Sequence, residues 1–462
     1  MSRIRTAKRF LLISYHLTPL LWSFARDRKR YLFFGESREV TDEIREKRAD
    51  RLLESFLRLG PTFIKLGQVV STRPDALPSI YTDKMSHLQD EVPPADWEKI
   101  EFVIEEDVGP VSEFGEFDKQ PISGASLGQV YAASRDGQKL AVKVRRPGVE
   151  KLVQTDLAVM ETVLPFILRF AKPGQRFTLE NLADQFDHAI REEMDYVHER
   201  RMMEEINRNL SDMDDVVIPE VVEDLSGERV ITMEYVAGTK ITDVDELERH
   251  GVDPTALTRR IQRIYVEMIL GDGLFHADPH PGNLSVLDDG TLVMYDFGRV
   301  GRLDREMRRY MFDFYVAVSR EDYDNMINSF IDMGALEPDV DRRIMRKMFA
   351  ITVDDMKGKD IQDKRVEEMI EDMQENMYEF PVRIPTQLAM LFRTTTLLGG
   401  VCYTLDEDFD FTTVVKNYIV QNRYGNIWAV ARTLRKPYEK ITSIAEMVTA
   451  VRQGFLEIIK PG

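Results

Sequence analysis

The hydrophobic period of this chain changes twice, and those changes limit its architecture more than any other feature. From about residue 40 to 109 apolar residues recur at steps of three and four, as in Ile44 to Leu59, where Gly60-Pro61 ends the run. New helices are expected after Pro61, Pro78 and Pro94. From about 113 the period falls to two. Strands are expected around Ile122, at Gly128 to Ala133 and at Lys139 to Arg145, with Arg135-Asp136-Gly137 as the turn. Residues 150 to 171 and 178 to 210 read as two long helices. Val216 to Val222 and Glu228 to Tyr235 return to strand, and the chain after Gly238 is mostly helical. A helical preamble, a small antiparallel sheet and a helical region make an α+β, two-lobed architecture with a cleft.

The predicted organisation is an amphipathic segment at 1–35 and a helical extension at 36–112. A β-rich lobe with a helical insertion follows at 113–238, then a helical lobe at 239–425 and a helical tail at 426–462. A net charge of −18 excludes a nonspecific nucleic-acid binder, which needs clustered cations to replace counterions. Arg outnumbers Lys roughly two to one, so the acidic excess suits either a hydrated shell adapted to high salt or ordinary solubility. The lone Cys402 forms no internal disulfide and no Cys/His spacing suggests zinc, so a reducing cytoplasm is expected.

Phe10 to Ala25 is apolar but shorter than a spanning helix and contains Pro19, so no transmembrane helix is predicted. Arg3, Arg5, Lys8 and Arg9 precede it, and Arg26, Arg28, Lys29 and Arg30 follow. The stretch therefore either lies peripherally in a membrane interface or packs on the protein's own core. Thr442 to Gly462, interrupted by Glu446, Arg452, Glu457 and Lys460, reads as a soluble amphipathic helix.

His276-x-Asp278-x4-Asn283, followed thirteen residues later by Asp296-Phe297-Gly298, has the layout of a protein-kinase catalytic loop and its metal-binding triplet. Asn283 and Asp296 supply hard oxygen ligands for Mg²⁺ on the phosphates of ATP, and Asp278 can accept a proton or orient a nucleophile. Lys143, ending Ala141-Val142-Lys143, is the expected phosphate anchor; the alternative is a solvated edge lysine. Upstream, Ser123-Gly124-Ala125-Ser126 runs to Gly128 and Val130 as a phosphate loop in which two glycines have become Ser123 and Ala125. Cβ atoms there restrict the backbone's approach to a nucleotide. His280 stands where kinases usually place a lysine, so phosphoryl transfer is expected to be weak or altered.

These residues resemble the UbiB family of atypical kinase-like proteins. The decisive segment is Phe63-Ile64-Lys65-Leu66-Gly67-Gln68, continuing through Ser71 to Pro78, which looks like the family's KxGQ signature. Leu88-Gln89-Asp90, Glu193-Met194-Asp195, Met233-Glu234-Tyr235 and Leu405-Asp406 near Phe409 also fit. The resemblance implies a kinase-like fold with an N-terminal helical extension, in which Lys65 and Gln68 sit over the nucleotide site. It also implies that Glu193 pairs with Lys65, that Asp195 completes the ExD motif, and that Glu199 holds Lys143. Glu234 and Tyr235 would lie beside the nucleotide. Glu193 and Glu199, if on one helix, serve two lysines from faces about 120° apart; a solvated acidic face is the alternative. The function implied is Mg-ATP binding with ATP hydrolysis or small-molecule phosphorylation, supporting isoprenoid or quinone lipid metabolism. A protein kinase and a nucleotide-sensing scaffold without turnover are the other readings.

Overall fold

The computed structural model describes residues 3–27, 42–71, 79–86, 88, 94–124, 127–170, 173–356 and 385–407. The expectations for Ala125, Ser126, Phe409 and Thr442 to Gly462, and most of those for 71 to 78 and 88 to 94, fall outside these residues. The chain divides into two compact units. The first holds 1–208, 217–237 and 293–299; the second holds 209–216, 238–292 and 300–462.

Unit 1 begins with five helices, α1 (Arg3–Asp27), α2 (Asp42–Leu59), α3 (Pro61–Ser71), α4 (Ser79–Ser86) and α5 (Trp97–Asp107). Each proline named as a helix start has a helix beginning at or just after it. Strands β1 (Glu116–Gly124), β2 (Gly128–Arg135) and β3 (Gln138–Arg145) follow, and β5 (Val230–Glu234) completes a sheet of order β1-β2-β3-β5. All its pairings are antiparallel. Asp136 and Gly137 adopt φ of 55° and 84°, the backbone that a two-residue hairpin loop demands and an Asp-Gly pair supplies. One sheet face packs Tyr131, Leu140, Val142 and Val144 against Ile100, Val103 and Ile104 of α5.

Helices α6 (Val149–Phe170), α7 (Pro173–Glu193) and α8 (Tyr196–Asn209) follow β3. Residues 178 to 210 are thus not one helix. Asp195 caps α8: its side chain accepts from the His198 amide at 2.9 Å and its carbonyl from the Glu199 amide at 3.0 Å. Arg145 donates to the Met194 carbonyl at the break. The expected strand at 216 to 222 shrinks to β4 (Val216–Val217).

Unit 2 contains β6 (Thr239–Lys240), α9 (Val244–Arg249) and α10 (Pro254–Val266), the last continued as a π-helical turn over Glu267–Asp272. Next come β7 (Leu274–His276) and β8 (Leu284–Val286), which pairs with β6. Strand β9 (Leu292–Met294) leads into the 293–299 segment of unit 1, and β10 (Val300–Arg302) returns to pair antiparallel with β7. Helices α11 (Arg305–Ser319), α12 (Tyr323–Asp332), α13 (Arg342–Met356) and α14 (Thr386–Leu405) complete it.

Against the expectation of no spanning helix, α14 is long and apolar enough to cross a membrane by length and composition alone. Its Leu388, Leu391, Thr394, Leu398 and Val401 form a buried stripe at steps of three and four, as in a core helix.

Candidate nucleotide site

In unit 1, Lys143 lies on an interior strand, opposite Val130 of β2 and Ile231 of β5, so its backbone is fixed from both sides. Its ammonium is buried and donates to both Glu199 oxygens, at 2.7 and 2.9 Å. Asp296 Oδ1 lies 3.3 Å from the same nitrogen. The Tyr196 ring sits beneath it, 5.2 Å from the centroid. Burial works to neutralise Lys143, but the Asp296 and Glu199 carboxylates outweigh it and hold the amine well above its ordinary value. Burial pushes the Glu199 carboxyl up to about 7, opposed by Lys143 and reinforced by Asp296. Lys143 is therefore no solvated edge lysine, and Glu199, 1% exposed, is no part of a solvated acidic face.

Asp296 occupies the left-handed region, φ 54°, unusual for a residue with a Cβ. Its Oδ1 accepts from the Gly298 amide at 3.2 Å, a local bond that fixes the side chain. With 41% of that side chain exposed, the carboxylate touches Lys143 while remaining open to a ligand.

Lys65 of α3 forms an ion pair with Glu193, the last residue of α7, both mostly withdrawn from solvent. Gln68, one turn on, donates to the Leu88 carbonyl at 3.3 Å. Gly67 between them is required by packing: a Cβ would run into Leu88 Cδ1 and lie 2.9 Å from Phe56 Cδ2. The two lysines are served by two helices rather than by one, because Glu193 ends α7 and Glu199 lies in the first turn of α8. Asp195 is the helix cap between them.

Ser123 and Gly124 are exposed at the end of β1, opposite Val130 and Gln129. Gly128 fits closely, since a Cβ would strike the Tyr196 hydroxyl and lie 3.3 Å from the Val144 carbonyl. Glu234 ends β5 and Tyr235 follows it, its amide donating to the Lys139 carbonyl at 3.0 Å.

In unit 2, Asp278, His280 and Asn283 occupy the loop between β7 and β8. The Asn283 side-chain amide nitrogen donates to the Asp278 carbonyl at 3.1 Å, which orients the amide group. His280 Nδ1 accepts from the Gly282 amide at 3.2 Å, so the imidazole serves its own turn. Arg393 of α14 lies 3.4 Å from Asp278 Oδ1, and the neighbouring Thr394 hydroxyl donates to the Ala277 carbonyl at 3.3 Å. Buried His276 has Nδ1 3.4 Å from the Tyr265 hydroxyl.

Tyr196, Arg393 and Thr394 are absent from the sequence reading. Tyr196 stood within reach of it, three residues before Glu199 on a helix face. Arg393 gave no signal, because it meets Asp278 across 115 residues.

Mg²⁺ takes hard oxygens, usually one or two carboxylates together with phosphate oxygens and water. Taken singly, each residue has suitable chemistry: in unit 1 Asp296 offers a half-exposed carboxylate, and in unit 2 Asn283 offers an amide oxygen. Among the described residues no three His, Cys, Asp or Glu side chains gather into an all-protein cage.

Residues 87–330 match the ABC1 atypical kinase-like domain and residues 350–410 the UbiB helical domain. The Synechocystis protein sll1770 is 33% identical over 415 residues, covering 89% of this chain and 70% of its own length. The Arabidopsis thaliana chloroplastic proteins named ACTIVITY OF BC1 COMPLEX KINASE 1 and 7 are each 33% identical, over 82% and 86% of this chain. The chain spans 56% and 59% of their lengths. Among solved structures, Mycobacterium tuberculosis Rv3197, determined with erythromycin, superposes with a TM-score of 0.52 at 23% identity, covering 79% of this chain and 94% of that one. That likeness is one of fold. With a kinase-like α+β fold, an N-terminal helical region and matches to both family domains, the chain belongs to the ABC1/UbiB family of atypical kinase-like proteins.

Proposed function

We propose that the chain binds Mg-ATP and either hydrolyses it or transfers its terminal phosphoryl group to a small-molecule acceptor in isoprenoid or quinone lipid metabolism. One observation carries the reading: a buried lysine, held charged by Glu199, whose ammonium also touches the half-exposed Asp296. An ammonium retained at such a cost in desolvation suits an anion that arrives later. In this reading Lys143 holds the α- and β-phosphates, Asp296 and Asn283 are the protein's ligands to Mg²⁺, and Asp278 orients water or an acceptor hydroxyl. Bound Mg²⁺ supplies neutralisation of phosphate charge. Arg393 steadies Asp278, and the Lys65–Glu193 pair fixes α3, whose Gln68 is held by Leu88. The lipid-metabolic part rests on the family resemblance, and the Arabidopsis relatives carry the word kinase in their names.

A nucleotide-sensing scaffold is the second reading. It is favoured by His280, which serves its own loop where a kinase offers a fixed cation. Phosphate release by the purified chain, with and without vesicles containing an isoprenoid lipid, separates the two. Magnesium-dependent release that is lost in Asp296→Asn and altered in Lys65→Ala supports turnover. Mg-ATP stabilisation without release supports the scaffold. Full turnover in Asp296→Asn overturns the assignment of the site.

A further inference from the structure

Unit 1 holds a cavity of about 340 Å³ where the start of α3, the start of α5 and the turn from β3 into α6 come together. None of its lining residues belongs to the candidate nucleotide site. Pro61, Pro94, Pro147 and Leu152 form an apolar wall, and Arg146 and Lys99 bring positive charge. Arg146 is 9% exposed, and its backbone is fixed on both sides: its amide donates to the Leu127 carbonyl at 2.9 Å and its carbonyl accepts from the Val149 amide at 3.2 Å. Lys99 stands at the rim, 67% exposed, with its ammonium 2.6 Å from Asp96, the one carboxylate in the lining. Two cations against one anion leave a surplus positive charge in a chain of net charge −18. Helices α3, α5 and α6 also begin here, so the positive ends of their dipoles add to it. The Asp96 side chain makes no capping bond to α5 that would use up that end.

Buried polar groups against the wall point the same way. Gln129, 1% exposed, accepts through Oε1 from the Ala95 amide at 3.0 Å and from the Tyr131 hydroxyl at 3.3 Å. Its Nε2 has no hydrogen-bond partner among the described residues. Ala95 lines the cavity, so this unspent donor lies against the cavity wall. Thr62, wholly buried next to Pro61, has a hydroxyl that is likewise unpartnered among the described residues. An unpaired buried donor is costly to a fold and is retained where a ligand comes to use it.

We propose that this cavity binds a small amphiphilic oxyanion, one carboxylate or phosphoryl group on an apolar body. The planar fork of Arg146 suits two oxygens of such a head, and Lys99 closes on it from the rim. The proline wall and Leu152 suit a body of about one ring, because 340 Å³ lies at the small end of ligand cavities. A polyphosphate suits it poorly, since its charge exceeds the surplus that the lining offers. The inference stands apart from the nucleotide reading, which uses none of these lining residues.

Calorimetric titration of the full chain with benzoate, phenyl phosphate and benzyl alcohol tests it. At least one acid should bind in the millimolar range or tighter, and neutral benzyl alcohol at least about tenfold more weakly. The tighter acid names the head as carboxylate or phosphoryl. Arg146→Gln should weaken that acid at least about tenfold and Lys99→Gln about threefold, while Leu152→Trp fills the cavity and abolishes binding. Asp296→Asn should leave the acid's affinity unchanged. Melting temperature reports whether each variant folds. If Arg146→Gln does not, exposed Lys99 and half-buried Leu152 carry the test. No acid bound at about 10 mM, benzyl alcohol bound as tightly as the acids, or wild-type affinity in both Lys99→Gln and Leu152→Trp overturns the proposal. So does acid binding that is lost in Asp296→Asn, which would place the probe in the nucleotide site.

Discussion

Lys143 and Glu199 share two hydrogen bonds, 2.7 and 2.9 Å long, in surroundings almost closed to water. Removing one partner leaves the other as a stranded buried charge, partly relieved here by Asp296. Glu199→Ala should therefore lower unfolding free energy by about 3 to 5 kcal/mol in urea melts, and the double change Lys143→Met with Glu199→Leu by much less.

The same pair predicts a dependence on pH. The Glu199 carboxyl is pushed up to about 7 in the folded protein, chiefly by burial, from an ordinary value of 4.5. The folded state thus holds that proton more tightly than the unfolded chain. Its contribution is fully present below about 4.5 and is lost as pH rises through about 7. Stability of the native chain relative to Glu199→Gln should fall across that window by up to about 3 kcal/mol, measured by urea unfolding at pH 5, 6, 7 and 8. A flat difference contradicts the shift.

Lys65 and Glu193 are 12% and 18% exposed and join α3 to the end of α7. A double-mutant cycle of Lys65→Ala and Glu193→Ala should give a coupling of about 1 to 3 kcal/mol in unfolding free energy. A coupling near zero would make the contact incidental.

Much of this was legible in the sequence. Asp136-Gly137 announced its hairpin, the alternation around Lys143 its strand, and Gly60-Pro61 the end of α2. The 194–195 break was not, because residues 178 to 210 hold neither Gly nor Pro and every charged residue there tolerates a helix. Its one signal was a local cap, Asp195 three residues before His198, inside a run that periodicity alone would continue. Arg393 was hidden for a different reason: its partner Asp278 is fixed by tertiary folding, and no local pattern encodes contact across 115 residues. For α1 the sequence left core packing and interface as alternatives, and the helix uses one face for its own core.

Arg9 and Asp156 set a second stability test. Arg9→Ala strands a carboxylate with no exposure and frees the Leu59 carbonyl. It should cost about 3 to 5 kcal/mol in chemical unfolding and speed proteolysis within residues 3 to 27. The isosteric pair Arg9→Met with Asp156→Leu should recover most of the loss.

The most direct test of the nucleotide site is calorimetric titration of the purified chain with ATP, with and without Mg²⁺, in the native protein and in Asp296→Asn. Because Asp296 is half-exposed and its change keeps the side chain's size, the variant should fold normally. Magnesium-dependent binding that weakens at least about tenfold in the variant, with most of its dependence on Mg²⁺ gone, is the predicted result. Equal affinity in the two proteins, or binding indifferent to Mg²⁺ in the native chain, would contradict the assignment of Asp296 and Lys143 to a metal-bound triphosphate.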